Sequence, residues 1–437
     1  MDEFKEIQVN SLNELFQHLH KSNINYCILR NYENIPENIG NDIDFLVDEK
    51  NLEEMEKIIF FVMKQYGLKL LNKKQRYGYK GLYFIETKTQ NIILLDLFTK
   101  LSKKWISYAD VNYILQNKIE YKNFYVPKKS SILYTVLLKD LLTYDKLRNK
   151  NNDLLLDLDE EVKLDFIQTG LKYFDAEILE NLFDDLKVNK IRYSKKYLFS
   201  KLKTDNNIKN FLEYTSYRIK EILQNLFFNK MYFISIIGPD GVGKSTVTSN
   251  LKRDLQDKGL FKKILDIHHR FEFIPNISQI FKRKEIDNKV EEKNIVTNPQ
   301  SRHTWYRTLI YVCYYSIDFI LGYFKVLKYK AQGGMVIADR YYYDFYIQKH
   351  YDNLPYRVKN FFYYLIPHPN VLIFLSADPE KVYKRKHELT LEETKEQNSR
   401  CMRIIKEHNG FIVDADQDAE NVNNQIKSII YKRMLDA

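Results

Sequence analysis

The stretch "ISIIGPDGVGKSTVTSNL", residues 234–251, decides the fold of the half of the chain around it. It carries G-x-x-x-x-G-K-[ST] from Gly238 to Ser245, behind an apolar run and ahead of a helix-compatible one. Strand, glycine-rich turn and helix in that order make a phosphate cradle. Gly238, Gly241 and Gly243 let the backbone fold tightly, so that its N–H groups and the following helix N-terminus face an anion. Pro239, Asp240 and Val242 complete the loop, and Thr246 follows it on the helix. In this pattern Lys244 reaches the β- and γ-phosphates of a nucleoside triphosphate, and the Ser245 hydroxyl ligates Mg²⁺. ATP and Mg²⁺ are therefore the cofactors to expect. Three of the chain's 13 glycines lie in this one loop.

Outward from the loop, strand-like and helix-like runs alternate from Met231 on: "YFISII", "KILDIHH", "MVIAD", "VLIFLSA" and "GFIVDA". Five apolar runs separated by helices read as a parallel sheet wrapped in helices. The run "TLIYVCYYSIDFILGYF", residues 308–324, could be taken for a membrane span. It is slightly short for one and carries Asp318 near its centre, so a buried helix leading into the next strand is the better reading.

Four motifs in order, "GPDGVGKST", "VIADRYYYD" (336–344), "NVLIFLSADPEKVYKRK" (370–386) and "GFIVDADQDAENV" (410–422), resemble a thymidylate kinase. The resemblance implies a five-stranded parallel P-loop kinase sheet and transfer of the γ-phosphate of ATP. Asp339 and Arg340 match the family's D-R-[YF] motif, in which the Asp lies near Mg²⁺ and the Arg holds the acceptor's phosphate. Asp240 matches an acid that contacts an acceptor sugar hydroxyl, and Arg385 and Arg400 fall where the family's lid supplies basic groups. Because Gly241 stands where some members carry an Arg, that task would pass to the lid. "VDADQD" (413–418) resembles the loop that cups adenine. In place of the family's R-E-P-G-G-like segment stands "IHHRFEFIP" (267–275), which makes His268, His269 and Arg270 candidate acceptor contacts. The Tyr- and Ile-rich 305–330 takes the place of the base-reading helix. The tail resembles a divergent branch met beside polysaccharide biosynthesis genes. The acceptor is thus nucleoside-monophosphate-like or sugar-like. A dTMP kinase proper, a glycan or sugar-phosphate kinase and a non-catalytic NTP-binding regulator all stay open.

The front of the chain mixes strand-like runs ("NYCILR", "DIDFLV", "GLYFIE", "IILLDLF") with amphipathic helices. "YCILRNYENIPENIGNDIDFLVD" (26–48) resembles a nucleotidyltransferase fold, whose D-x-D and third carboxylate hold Mg²⁺. Asp42 and Asp44 alternate around Ile43 and so share one strand face. Asp96, an acid amid apolar residues, needs a charge partner and is the natural third member. The family's upstream Gly-Ser pair is absent; "LRNYENIP" stands there, with Arg30 and Asn31. Nucleotidyl transfer, metal-dependent binding and a structural remnant remain as readings.

The domains expected are therefore a nucleotidyltransferase-like 1–128, a helical connector 129–230 and a thymidylate-kinase-like 231–437. The class is α/β. A chain of 437 residues exceeds one core, at about 100–200 residues per domain, and 44% hydrophobic with 29% charged residues is ordinary for a folded soluble protein. Net charge is +10, and residues 186–230 alone hold eleven Lys or Arg against Asp205, Glu213 and Glu221. That segment, amphipathic from Phe211 to Phe228, allows weak peripheral contact with an anionic membrane, while nucleic acid is not expected as a partner. A dimer is compatible with the chain. Cys27, Cys313 and Cys401 are scattered, and the acidic start lacks the pattern of a signal peptide, so reduced thiols in the cytoplasm are expected.

Overall fold

Apolar alternation in the front of the chain produces a mixed sheet of five strands: β1 (Tyr26–Ile28), β2 (Ile43–Val47), β3 (Lys69–Arg76), β4 (Tyr79–Ile85) and β5 (Ile92–Phe98). Their order is β1-β2-β5-β4-β3, with β2 and β5 parallel and the other pairs antiparallel. Odd residues of β2 face one way and even ones the other. Phe45 joins Phe16, Ile59 and Leu95 beneath helices Glu3–Lys21 and Leu52–Gln65. Leu46 joins Leu133, Leu137 and Leu182 on the opposite side, beneath helices Lys129–Tyr144 and Ala176–Lys187. The helical segment after residue 128 thus shares a core with the front sheet.

The computed structural model describes residues 3–148, 158–188, 190–203, 207–229, 231–277, 305–385 and 389–436. They form two units, Met1–Glu221 and Ile222–Ala437. Asp205 and Lys230 of the basic segment, and Lys386 at the end of the third motif, lie outside the described residues.

In the second unit all five expected runs are strands: β6 (Phe233–Ile237), β7 (Ile264–His268), β8 (Met335–Asp339), β9 (Val371–Ser376) and β10 (Phe411–Asp414). The sheet is parallel throughout, in the order β7-β8-β6-β9-β10. β6 and β8 are buried along their whole length, as continuous apolar runs covered on both faces should be. With every strand pointing the same way, the loops that follow the strands gather at one edge, where open α/β sheets bind ligands.

Helix Trp305–Ala331 covers this sheet with Val312, Phe319 and Val326. Among the described residues it alone is long and apolar enough to cross a membrane. One of its faces is nonetheless packed in the core, whereas Ile310, Ile317 and Phe324 are exposed. Asp318 is fully buried, and its carboxylate accepts from the backbone N–H groups of Glu272, Phe273 and Ile274 at 3.0, 2.5 and 3.0 Å. The mid-helix acid therefore fastens the loop after β7. Cys27 and Cys401 are buried, Cys313 is partly exposed, and all three are free thiols.

Candidate functional site

β6 ends on Ile237 and runs into Gly238, and helix Lys244–Asp257 begins after the loop that follows. Gly241 and Gly243 have φ of 88° and 101°, where a side chain is strained. A Cβ on Gly238 would come within 2.9 Å of the Leu375 carbonyl oxygen. The first N–H groups of a helix lack intrahelical carbonyl partners and face the segment that precedes it, here the glycine loop. Lys244 is 5% exposed and its Nζ donates to the carbonyls of Gly238 and Pro239, both at 2.8 Å. Asp240 Oδ1 lies 3.6 Å from the same nitrogen. Ser245 and Thr246 are exposed at the helix start.

Parallel pairing puts Asp339 opposite Ile236, at the carboxyl end of β8 and beside the loop. Its Oδ2 lies 3.2 Å from His268 Nδ1, while its Oδ1 is buried without a hydrogen-bond partner. Burial pushes this carboxyl up, against the pull of Lys244 and His268. An orphaned, buried carboxylate oxygen at the strand end beside the glycine loop suits a hard divalent cation, so this donor fits Mg²⁺.

Arg340 and Tyr341 have φ of 74° and 55°. Three buried tyrosines hold that strained turn: Tyr341 donates to Pro367 O, Tyr342 to Lys359 O, and Tyr343 pairs with Tyr363. The turn aims the Arg340 guanidinium at Asp240, with which it forms an ion pair, and brings it 3.9 Å from Asp344. Asp344 also takes His269 Nδ1 at 3.1 Å, and that contact pushes the imidazole's pKa up. Asp240, Arg340, Asp344 and His269 thus form a chain of charge beside the glycine loop. Asp344 closes the motif 336–344, yet its pairing with two separate cationic groups needs the fold to be seen. Arg270, by contrast, is occupied in its own loop: it donates to Ile274 O at 2.6 Å and Asn276 Oδ1 at 2.7 Å.

Residues 236–426 match the family model of thymidylate kinase. The match covers under half of the chain and supports a nucleotide kinase function in general for this unit. Among solved structures, a thymidylate kinase from Ehrlichia chaffeensis is 15% identical, covering 46% of this chain and 98% of its own, with a TM-score of 0.30. No curated protein matches.

Within the thymidylate-kinase-like region, Arg400 is engaged in ion pairs of its own. Its guanidinium grips Asp352 through both terminal nitrogens, at 2.7 and 2.6 Å, and reaches Glu396 at 2.6 Å. Arg385 is exposed at the end of the short helix Pro379–Arg385. The loop 413–418 is ordered by its own acids: Asp414 accepts from Asp416 N, and Asp418 from Asn421 N, both at 2.9 Å. It lies against the end of β9 through Ala415 N to Ser376 O, 2.7 Å.

In the front unit the parallel register sets Asp44 directly beside Asp96. Asp42, two residues upstream, joins them, and one oxygen from each of the three lies within 4.8 Å of the others. Arg30 Nε donates to Asp44 Oδ2 at 2.5 Å, and Tyr79 OH donates to Asp96 Oδ1 at 2.9 Å. Burial, aided by Asp44 and Asp42 and opposed by the Tyr79 hydrogen bond, pushes the Asp96 carboxyl up to about 7. Gly81 faces the group: a Cβ there would meet the Tyr79 hydroxyl and come 3.2 Å from Asp96 Oδ1. Three converging carboxylates are a donor set suited to divalent cations. The sequence pointed to the three acids but not to Tyr79 or Gly81, because only the β4–β5 pairing brings these beside Asp96.

Proposed function

We propose that the second unit is an ATP- and Mg²⁺-dependent phosphotransferase acting on a nucleoside-monophosphate-like or sugar-like acceptor. The observation that carries this is the glycine loop with buried Lys244, flanked by the orphaned oxygen of Asp339 and by the Asp240–Arg340 pair. The loop's N–H groups and Lys244 would hold the donor phosphates, and Ser245 and Asp339 would hold Mg²⁺, which supplies charge neutralisation on the phosphates. In the transfer, the bond from the β–γ bridging oxygen to the γ-phosphorus breaks. A bond from an acceptor oxygen to that phosphorus forms, and ADP leaves with the bridging electron pair; an acceptor phosphate oxygen brings no proton, and an acceptor hydroxyl would release its proton to water. Arg340, released from Asp240 by an anionic acceptor, would fix it in line through its planar fork. A screen of nucleotides and sugars for acceptor-dependent ADP formation, starting with dTMP, tests the reading. No acceptor-dependent ADP from any compound would leave only the non-catalytic NTP-binding reading.

A second reading concerns the front unit, where convergence of Asp42, Asp44 and Asp96 favours a metal-dependent site with nucleotidyl transfer as its activity. Metal-dependent pyrophosphate release from a nucleoside triphosphate, lost in Asp42→Asn/Asp44→Asn, is the expected outcome. Polysaccharide biosynthesis is the setting that best fits two such activities on one chain in the cytoplasm. The seven-residue spacing of exposed Ile310, Ile317 and Phe324 supports a dimer, for which light scattering of Ile317→Asp is the test. Exposed Phe211, Phe227 and Phe228 in the basic segment support weak membrane contact, checked by salt-sensitive binding to anionic vesicles.

A further inference from the structure

The three tyrosine hydroxyls that hold the Arg340 turn all reach the segment 359–368, the end of helix Tyr356–Tyr363 and the residues after it. Two of these bonds end on backbone carbonyls, those of Pro367 and Lys359, which do not titrate. The third ends elsewhere. Tyr343 OH lies 3.0 Å from Tyr363 OH, which lies 3.4 Å from Nδ1 of His408, the residue that caps helix Leu391–Glu407. Tyr343 is 1% exposed, and among the described residues its hydroxyl has no other partner. Burial keeps both phenols protonated, so each has one proton to donate. With Nδ1 of His408 unprotonated, Tyr363 donates to it and Tyr343 donates to Tyr363, and every proton has an acceptor. With Nδ1 protonated, three donor protons meet two contacts, so one hydroxyl proton is left in the core without an acceptor.

We propose that His408 is a positioning residue: unprotonated at Nδ1, it anchors Tyr363 and Tyr343 and so holds the turn that aims Arg340. The inference rests on the phosphotransferase reading only for its consequence, which is acceptor binding. Facing the imidazole from two other segments are the rings of Tyr343, at 5.5 Å, and Tyr363, at 4.9 Å. His368 stands 4.4 Å from the same Tyr363 ring. Glu407, on the histidine's own helix, accepts from Tyr356 OH and lies 3.9 Å from Arg403. Burial outweighs Glu407 and lowers the His408 pKa from its ordinary 6.5, and burial together with His408 lowers that of His368. The anchor is therefore fully present above about pH 6.5 and is lost as pH falls below it.

The test reads hydrogen-exchange protection factors of residues 340–346 in the full chain without nucleotide, at about pH 7.5 and about pH 5.5. In the unmutated protein, protection should fall about tenfold on acidification, as expected for one unpaired buried donor. His408→Asn offers an amide oxygen near the Nδ1 position and does not titrate, so protection should stay high at both values. His408→Leu and Tyr363→Phe remove the anchor, and protection should be low at both. His269, beside Asp344, titrates in every variant and cancels in the comparison. Residues 233–237 report the core and should keep their protection throughout. Equal loss in the Asn and Leu variants would mean packing and not hydrogen bonding, and overturns the proposal. So does acid sensitivity that survives in His408→Asn, protection in His408→Leu that matches the unmutated protein, or a fall at 233–237 as large as that at 340–346. With ATP and dTMP as probes of turnover, His408→Leu should raise the acceptor KM about tenfold and leave the ATP KM in place. Acid sensitivity abolished by His408→Asn, with no acceptor-dependent ADP, keeps the relay and removes the phosphotransferase reading. An acceptor KM indifferent to His408→Leu keeps that reading and removes the relay.

Discussion

Lys244 and Arg340 carry different tasks, and their substitutions should separate. Lys244→Ala removes a charge that the loop's own carbonyls hold, 2.8 Å away, so folding should survive while acceptor-dependent ADP formation falls by about a hundredfold or more. Turnover near the unmutated level would sink the kinase assignment. Arg340→Lys keeps the charge beside Asp240 and Asp344 but loses the fork. A large fall in kcat/KM for the acceptor with little change in ATP affinity is expected; a collapse in ATP affinity would move Arg340 to the donor side. In the front unit, Gly81→Ala should cost roughly 1–3 kcal/mol, read by denaturant melts, because the new methyl meets the Tyr79 hydroxyl and Asp96 at once. The glycine loop and the three acids were legible as residues, since motif and alternation are local. The ion pairs among Asp240, Arg340, Asp344 and His269 were not, because they join three separate loops.

At the scale of elements, all five strands of the second unit were readable as apolar runs, because strands covered on both faces have no polar side to dilute the signal. β3 was missed for the converse reason. Its sequence, "KLLNKKQR", is a charged sheet edge with an irregularity between Leu70 and Asn72, so alternation fails there. Helix Trp305–Ala331 shows how one residue decides between environments. Asp318, which argued against a membrane span, answers three backbone N–H groups from the loop 272–274. Asp318→Ala leaves those donors unpaired beside Arg270, which lies 3.8 Å from the carboxylate. The expected cost is about 3 kcal/mol, with faster hydrogen exchange across residues 271–277. If exchange there is unchanged, the acid does not hold the loop.

On the scale of the whole chain, the sequence announces the parallel sheet of the second unit, whereas for the front it offers only strand-like runs and helices, and the mixed order of that sheet emerges from the pairing. It cannot show that Leu133 and Leu137 pack with Leu46, since helical periodicity does not say which sheet a helix covers. Two units with carboxylate-bearing sites also mean that metal effects must be assigned to one of them, which Ser245→Ala permits by weakening the site beside the glycine loop. In that background, without metal, Asp96 keeps its proton to about pH 7, whereas the unfolded chain loses it near the ordinary carboxylate value of 3.8. Between those values the folded state binds more protons, so stability must fall as pH rises through the window, by on the order of 3 kcal/mol for a buried group. The penalty is fully present above pH 7. Divalent ions remove it by replacing the proton, so Mn²⁺ should raise the melting temperature at pH 8 and do little at pH 5. Asp42→Asn/Asp44→Asn takes away two like charges that hold the Asp96 pKa up. The double variant should therefore show a flatter pH profile and no longer respond to Mn²⁺, while loss of the Arg30–Asp44 ion pair offsets the stability gained by relieving the repulsion. A Mn²⁺ shift of the same size in the double variant would mean that the converging acids are no more than a strand face.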